Sequence, residues 1–99
     1  MDEENALVAF VHLCVEPNRL SHVISNLCGC QPVTKVYGVT GEYDVIAMVK
    51  VRDLNELHRF LRSTVLNLSG VKGVATSIVL EERLADGYMV DLPQQNNQS

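Results

Sequence analysis

Thr40-Gly41-Glu42-Tyr43-Asp44 is the run of this sequence best equipped for ligand chemistry. Gly41 can take backbone conformations closed to other residues, so that N–H groups of a turn converge on an anion such as a ligand carboxylate. Asp44 opens an apolar stretch, where a carboxylate needs a partner because burying it alone is costly. A ligand ammonium would serve; so would a hairpin cap or a basic neighbour. Thr76 and Ser77 offer adjacent hydroxyls, although threonine is also a plain β-former. His12, between Phe10 and Cys14, could act as an acid or base in a cleft or could be an ordinary interface histidine. Cys14, Cys28 and Cys30 make an odd count in a chain with no secretion signal and are read as free thiols. Cys28-Gly29-Cys30 is suggestive spacing, but zinc needs two more ligands, and His12, His22 and His58 stand at no motif spacing. Lys35, Arg52, Arg59 and Arg62 read as solvated charges. The sequence holds no phosphate loop, nucleophile elbow or metal motif, so no catalytic residue, metal or cofactor is expected.

The elements that must position these residues are legible from periodicity. Residues 6–15 are an almost unbroken apolar run ended by Glu16-Pro17, a strand (β1). After Pro17, Leu20, Val23, Ile24, Leu27 and Cys28 fall on one face of an amphipathic helix (α1), which Gly29 ends. Residues 33–40, rich in β-branched side chains, predict β2. Gly41-Glu42 predicts a two-residue hairpin, and residues 43–51 give β3. Asp53 with Glu56 forms a capping box opening α2, whose stripe is Leu54, Leu57, Leu61, Val65 and Leu68; Ser69-Gly70 closes it. Residues 71–80 give β4. The halves repeat: Val15 parallels Val51, 36 positions on, and Val33 and Val36 parallel Val71 and Val74, 38 positions on.

Two β-α-β units joined by a tight hairpin predict an α+β fold, the ferredoxin-like βαββαβ plait. Its antiparallel four-stranded sheet carries both helices on one face, and the central strands β1 and β3 are expected to run parallel to each other. Ala9, Val11, Leu13 and Val15, with Val45, Ala47, Val49 and Val51, suit the helix-covered side. The other parity holds Val8, Phe10, His12, Cys14, Asp44, Ile46, Met48 and Lys50. A face meant for water would alternate to polar residues, so a second copy is the simplest lid, with Phe10, His12, Ile46 and Met48 at the dimer interface.

At 99 residues the chain makes one domain, spanning 6–83, with a frayed N-terminus at 1–5 and a C-terminal arm and disordered tail at 84–99. Within that tail 87–92 could form a short strand or arm on a neighbour, and 93–99 is polar and low in complexity. Its composition is 46% hydrophobic and 20% charged, and surplus aliphatic surface in a small chain favours an oligomer. The net charge of −4 argues against nucleic-acid binding, which needs a basic face. No transmembrane span or signal peptide is visible, and the chain is read as cytoplasmic.

Several ordered features together resemble the ligand-binding (RAM) domain of the leucine-responsive/asparagine-synthase regulators, the Lrp/AsnC family. They are Val15-Glu16-Pro17, Val33 and Val36, the run Val39-Thr40-Gly41-Glu42-Tyr43-Asp44, Leu68-Ser69-Gly70-Val71, and Thr76-Ser77. The resemblance covers about residues 5–83. It implies a non-enzymatic effector sensor that forms face-to-face dimers, often assembled into octameric rings of four dimers, with amino acids bound at subunit interfaces. Carried over by position, the ligand site falls on Thr40, Gly41, Glu42, Tyr43 and Asp44, and also on Thr76 and Ser77. Full-length regulators carry an N-terminal helix-turn-helix domain, whereas here β1 starts near Met1. The resemblance is therefore to a stand-alone form, expected to modulate transcription through full-length regulators rather than by direct DNA binding. The competing reading is a small dimeric α+β-barrel enzyme, monooxygenase- or isomerase-like, with His12 as acid/base.

Overall fold

The computed structural model describes residues 6–86. The expected frayed segment 1–5, arm at 87–92 and disordered tail 93–99 lie outside them. The elements run β1 (Leu7–Val15), a 3-10 turn (Pro17–Arg19), α1 (Leu20–Cys28), β2 (Val33–Gly38), β3 (Val45–Val51), α2 (Leu54–Ser63), a second 3-10 turn (Val65–Asn67) and β4 (Val71–Ile78). The four strands form one sheet in the order β2-β3-β1-β4. All three pairings are antiparallel, which is the ferredoxin-like plait.

This corrects the expectation that β1 and β3 run parallel. Each helix crossover skips one place in the sheet, so the parallel pairs are β1 with β2 and β3 with β4. The strand lying between each pair is antiparallel to both.

The helix-side residues behave as their parity requires. Ala9, Val11, Leu13, Val45, Ala47 and Val49 are fully buried, and Val15 and Val51 nearly so; Val23 and Leu27 of α1 and Leu57, Phe60 and Val65 of the α2 region pack with them. The α2 stripe differs in detail from the periodic one. The helix stops at Ser63 and Val65 enters the core from the 3-10 turn, Leu54 is largely exposed, and Phe60 takes a core place the stripe omitted. Asp53 caps α2, its Oδ1 accepting the Glu56 N–H at 2.9 Å. The return bond from Glu56 goes one residue further back than a capping box would place it, to the Arg52 N–H at 2.8 Å.

Gly70 joins the halves. Its carbonyl accepts the Glu16 N–H at 2.8 Å. It holds φ +100°, and a Cβ there would collide with Cβ of Arg19. Left-handed backbone and close approach both require glycine.

Candidate functional site

The hairpin between β2 and β3 is centred where Gly41-Glu42 predicted, but it is wider. Its closing bond runs from the Val39 N–H to the Asp44 carbonyl at 2.9 Å, so the loop is four residues, 40–43, and the strands end short of Thr40 and Tyr43. Gly41, at φ +121°, makes the turn, and the space around its α-carbon is open.

Asp44 anchors this loop to the sheet. Its N–H donates to the Leu13 carbonyl at 2.9 Å, and its Oδ2 accepts the Val15 N–H at 2.8 Å. On β1, Leu13 and Val15 face β3 with their main-chain groups. The hairpin departs after the Leu13 rung, so the Asp44 carboxylate stands in for the backbone carbonyl that would have met Val15. Part of the demand for a partner that sequence reasoning assigned to a ligand is met inside the chain. Neither Val15 nor its amide could have been singled out from the sequence, because the contact spans 29 positions.

The open sheet face brings three other side chains to the hairpin. His12 pairs across the sheet with Ile46 and Ala75. Its Nε2 lies 3.2 Å from Ser77 Oγ on β4, and its ring meets that of Tyr43 with centroids 5.2 Å apart. Cys14 Sγ donates to the Glu42 carbonyl at 3.6 Å, a long sulfur contact. Ser77, His12 and Tyr43 thus form a polar band across β4, β1 and the hairpin loop. Thr76 does not join it. It pairs with Val11, whose side chain lies on the helix side, and so stands on the opposite face from Ser77.

Phe10, Ile46 and Met48 share the open face and remain only partly covered in the single chain. A concavity of about 530 Å³ on this face is lined by Val8, Phe10, Lys35, Met48, Val79 and residues 81–83. Another of about 410 Å³ lies at the far end of the sheet, between Pro32, Lys50 and Arg52. Neither includes the hairpin, which is a rim rather than the wall of a closed pocket.

Among the described residues, Glu56 and Cys30 are displaced from their ordinary values. The Arg52 N–H and guanidinium at Glu56 hold that carboxyl below its ordinary value. Burial pushes the Cys30 thiol up, and its Sγ donates to the Asn26 carbonyl at 3.3 Å. Cys28 is exposed beside it. Among the described residues no three His, Cys, Asp or Glu side chains come together as a metal cluster, and no helix is long and apolar enough to cross a membrane.

A profile of the Lrp/AsnC ligand binding domain matches residues 8–89. The HTH-type transcriptional regulator FL11 of Pyrococcus horikoshii is 33% identical over 76 residues, covering 77% of this chain and 50% of that protein. The chain spans about half the length of the curated relatives it matches. Among solved structures, TTHA0845 from Thermus thermophilus superposes with a TM-score of 0.75 at 29% identity, covering 80% of this chain and 99% of that one. The transcriptional regulator NMB0573 of Neisseria meningitidis, solved as an L-Met complex, superposes with a TM-score of 0.74 at 23% identity, over 80% of this chain and 53% of that one.

Proposed function

Since the chain belongs to the Lrp/AsnC ligand-binding domain family, we propose that it is an effector-sensing module that binds a free amino acid at the 40–44 hairpin. The observation that carries this reading is a glycine turn at φ +121° beside a carboxylate, at the rim of a partly covered apolar face. Amides near Gly41 and Glu42 would receive the ligand carboxylate. Asp44 and Glu42 would face its ammonium, and Tyr43, His12 and Ser77 would meet its side chain. Thr76, on the other face, is left out of the site.

A second copy would cover Phe10, Ile46 and Met48, with His12 in the same interface, and would close the rim into a pocket. Effector binding would then shift the assembly, four dimers forming an octamer, or its association with full-length regulators, by its differential affinity for the two states. The 99-residue chain, at net charge −4, would not bind duplex DNA by itself at physiological salt. A salt-dependent sub-micromolar gel shift would overturn that.

The Ser77–His12 contact favours one other reading, a hydrolytic or acid/base centre. Such a pair needs a third group orienting the second ring nitrogen, and among the described residues the ring's further recorded contact is Tyr43. Binding is the better use of this band.

A thermal-shift panel of the twenty amino acids tests the function. Methionine is the first probe because a regulator of the same fold was solved with it; at 23% identity the likeness speaks for the fold alone. A ligand at 100 times Kd adds about 2.7 kcal/mol of stability, a shift of several degrees. A panel without any shift at millimolar concentration would contradict the assignment.

A further inference from the structure

The open sheet face sets one hydrogen-bonding pair among apolar neighbours. His12 shares that face of β1 with Phe10 and Cys14, and it lies across from Ile46 and Ala75. Ser77, two places beyond Ala75 on β4, brings its Oγ to 3.2 Å from His12 Nε2. The Tyr43 ring stands 5.2 Å from the imidazole, and Cys14 is turned to the Glu42 carbonyl. The pair therefore borders the hairpin loop.

Its bonding capacity is not used up by the mutual contact. A serine hydroxyl offers one donor and two acceptor sites, and a neutral imidazole offers one of each. If Ser77 donates to Nε2, the Nδ1 proton and a hydroxyl lone pair remain. If Nε2 donates to Ser77, the hydroxyl proton and the Nδ1 lone pair remain. Either tautomer leaves one donor and one acceptor. Among the described residues neither Ser77 Oγ nor His12 Nδ1 has a further hydrogen-bond partner.

We propose that this pair selects the effector by its side chain, taking an uncharged head that both donates and accepts, a carboxamide or a hydroxyl. The inference rests on the hairpin reading above, which lays the ligand side chain against Tyr43, His12 and Ser77. An aliphatic head would leave both remaining groups without partners once a second copy covers the face, and unsatisfied buried groups are costly. An ammonium or guanidinium head has donors alone. A carboxylate head has acceptors alone and would meet the like charges of Glu42 and Asp44 in the same loop region. Selection of this kind works chiefly by rejection, because a site built for hydrogen bonds discriminates strongly against a ligand that lacks them.

Isothermal titration of the whole chain tests this at about pH 8, where histidine is ordinarily neutral. Two pairs of ligands are matched in shape: asparagine with leucine, and threonine with valine. Asparagine should bind at least about tenfold tighter than leucine, and threonine tighter than valine by a similar factor. Ser77→Ala and His12→Leu should each bring those ratios close to one or reverse them. Sedimentation checks that the assembly persists. Ser77 is exposed in the single chain, and its alanine variant keeps the test available should His12→Leu fail to fold. Binding of none of the twenty amino acids would remove the hairpin reading and this selection with it. Leucine or valine binding as tightly as its polar match, or a charged amino acid binding tightest, would leave the hairpin reading standing and overturn the selection. So would a polar preference undiminished in both variants, since the head would then be read elsewhere.

Discussion

Asp44 has a structural role beside the proposed one in recognition. Its Oδ2 replaces a rung of the β1–β3 ladder at Val15, and hydrogen bonds to a charged group contribute about 1.5–3 kcal/mol. Asp44→Ala therefore disturbs the hairpin as well as any ligand contact, whereas Asp44→Asn keeps an acceptor for the Val15 amide and removes the charge. His12, read from the sequence as an interface residue, stands between Ser77 and Tyr43, a grouping that required knowing the register of β1 against β4. The cysteines separate by environment. Cys28 is exposed, while Cys30 is partly covered and its thiol is pushed up by burial. Thiolate is the reactive form, so iodoacetamide at neutral pH should label Cys28 several-fold faster than Cys30, by peptide mass mapping. Equal rates would contradict the described burial of Cys30.

The elements are largely legible in the sequence because strong periodicity sets parity, and parity sets burial: every residue assigned to the helix side of β1 and β3 is buried. Legibility ends where one element's limits depend on another. The hairpin is wider than its Gly-first turn suggests because Asp44 is drawn onto β1. The periodic α2 stripe runs on to Val65 as helix, whereas the helix ends at Ser63 and a 3-10 turn carries Val65 into the core; Phe60, inside the helix, is buried beside Leu57. The repeat itself is correct, yet it does not convey the relative direction of β1 and β3. Gly70 reads as a stop, while its packing on Arg19 is invisible in sequence. Gly70→Ala should cost about 2–3 kcal/mol from left-handed backbone and overlap together, read as a lower denaturant midpoint with unchanged slope. An unaltered midpoint would contradict that packing. At the start of α2, Glu56 has a lowered folded pKa. Its stabilisation is thus present above the unfolded carboxyl value and lost as pH falls through the folded one. Glu56→Gln should flatten the acid limb of the stability profile there, and an identical acid limb would remove this cap from the account.

Among the described residues, one face of the sheet is packed against the helices and the other carries apolar side chains that are only partly covered. Phe10, Ile46 and Met48, already partly covered, would each gain a part of the about 1.5–3 kcal/mol that full burial contributes, so pairing through this face is the expected state. Ile46→Asp should produce monomers or unfold the chain, whereas wild type should sediment as a pair or larger at micromolar concentration. A folded wild-type monomer there would contradict the interface. The proposed effector site lies on that same rim, where the hairpin of one copy would be roofed by another. Isothermal titration of the amino acid selected by the thermal panel, into wild type and into Asp44→Asn, tests the central claim most directly. The account predicts binding to the wild type and a roughly ten- to hundredfold loss of affinity in a variant that keeps its fold and assembly. Equal affinity in the two proteins would move the site away from the 40–44 hairpin.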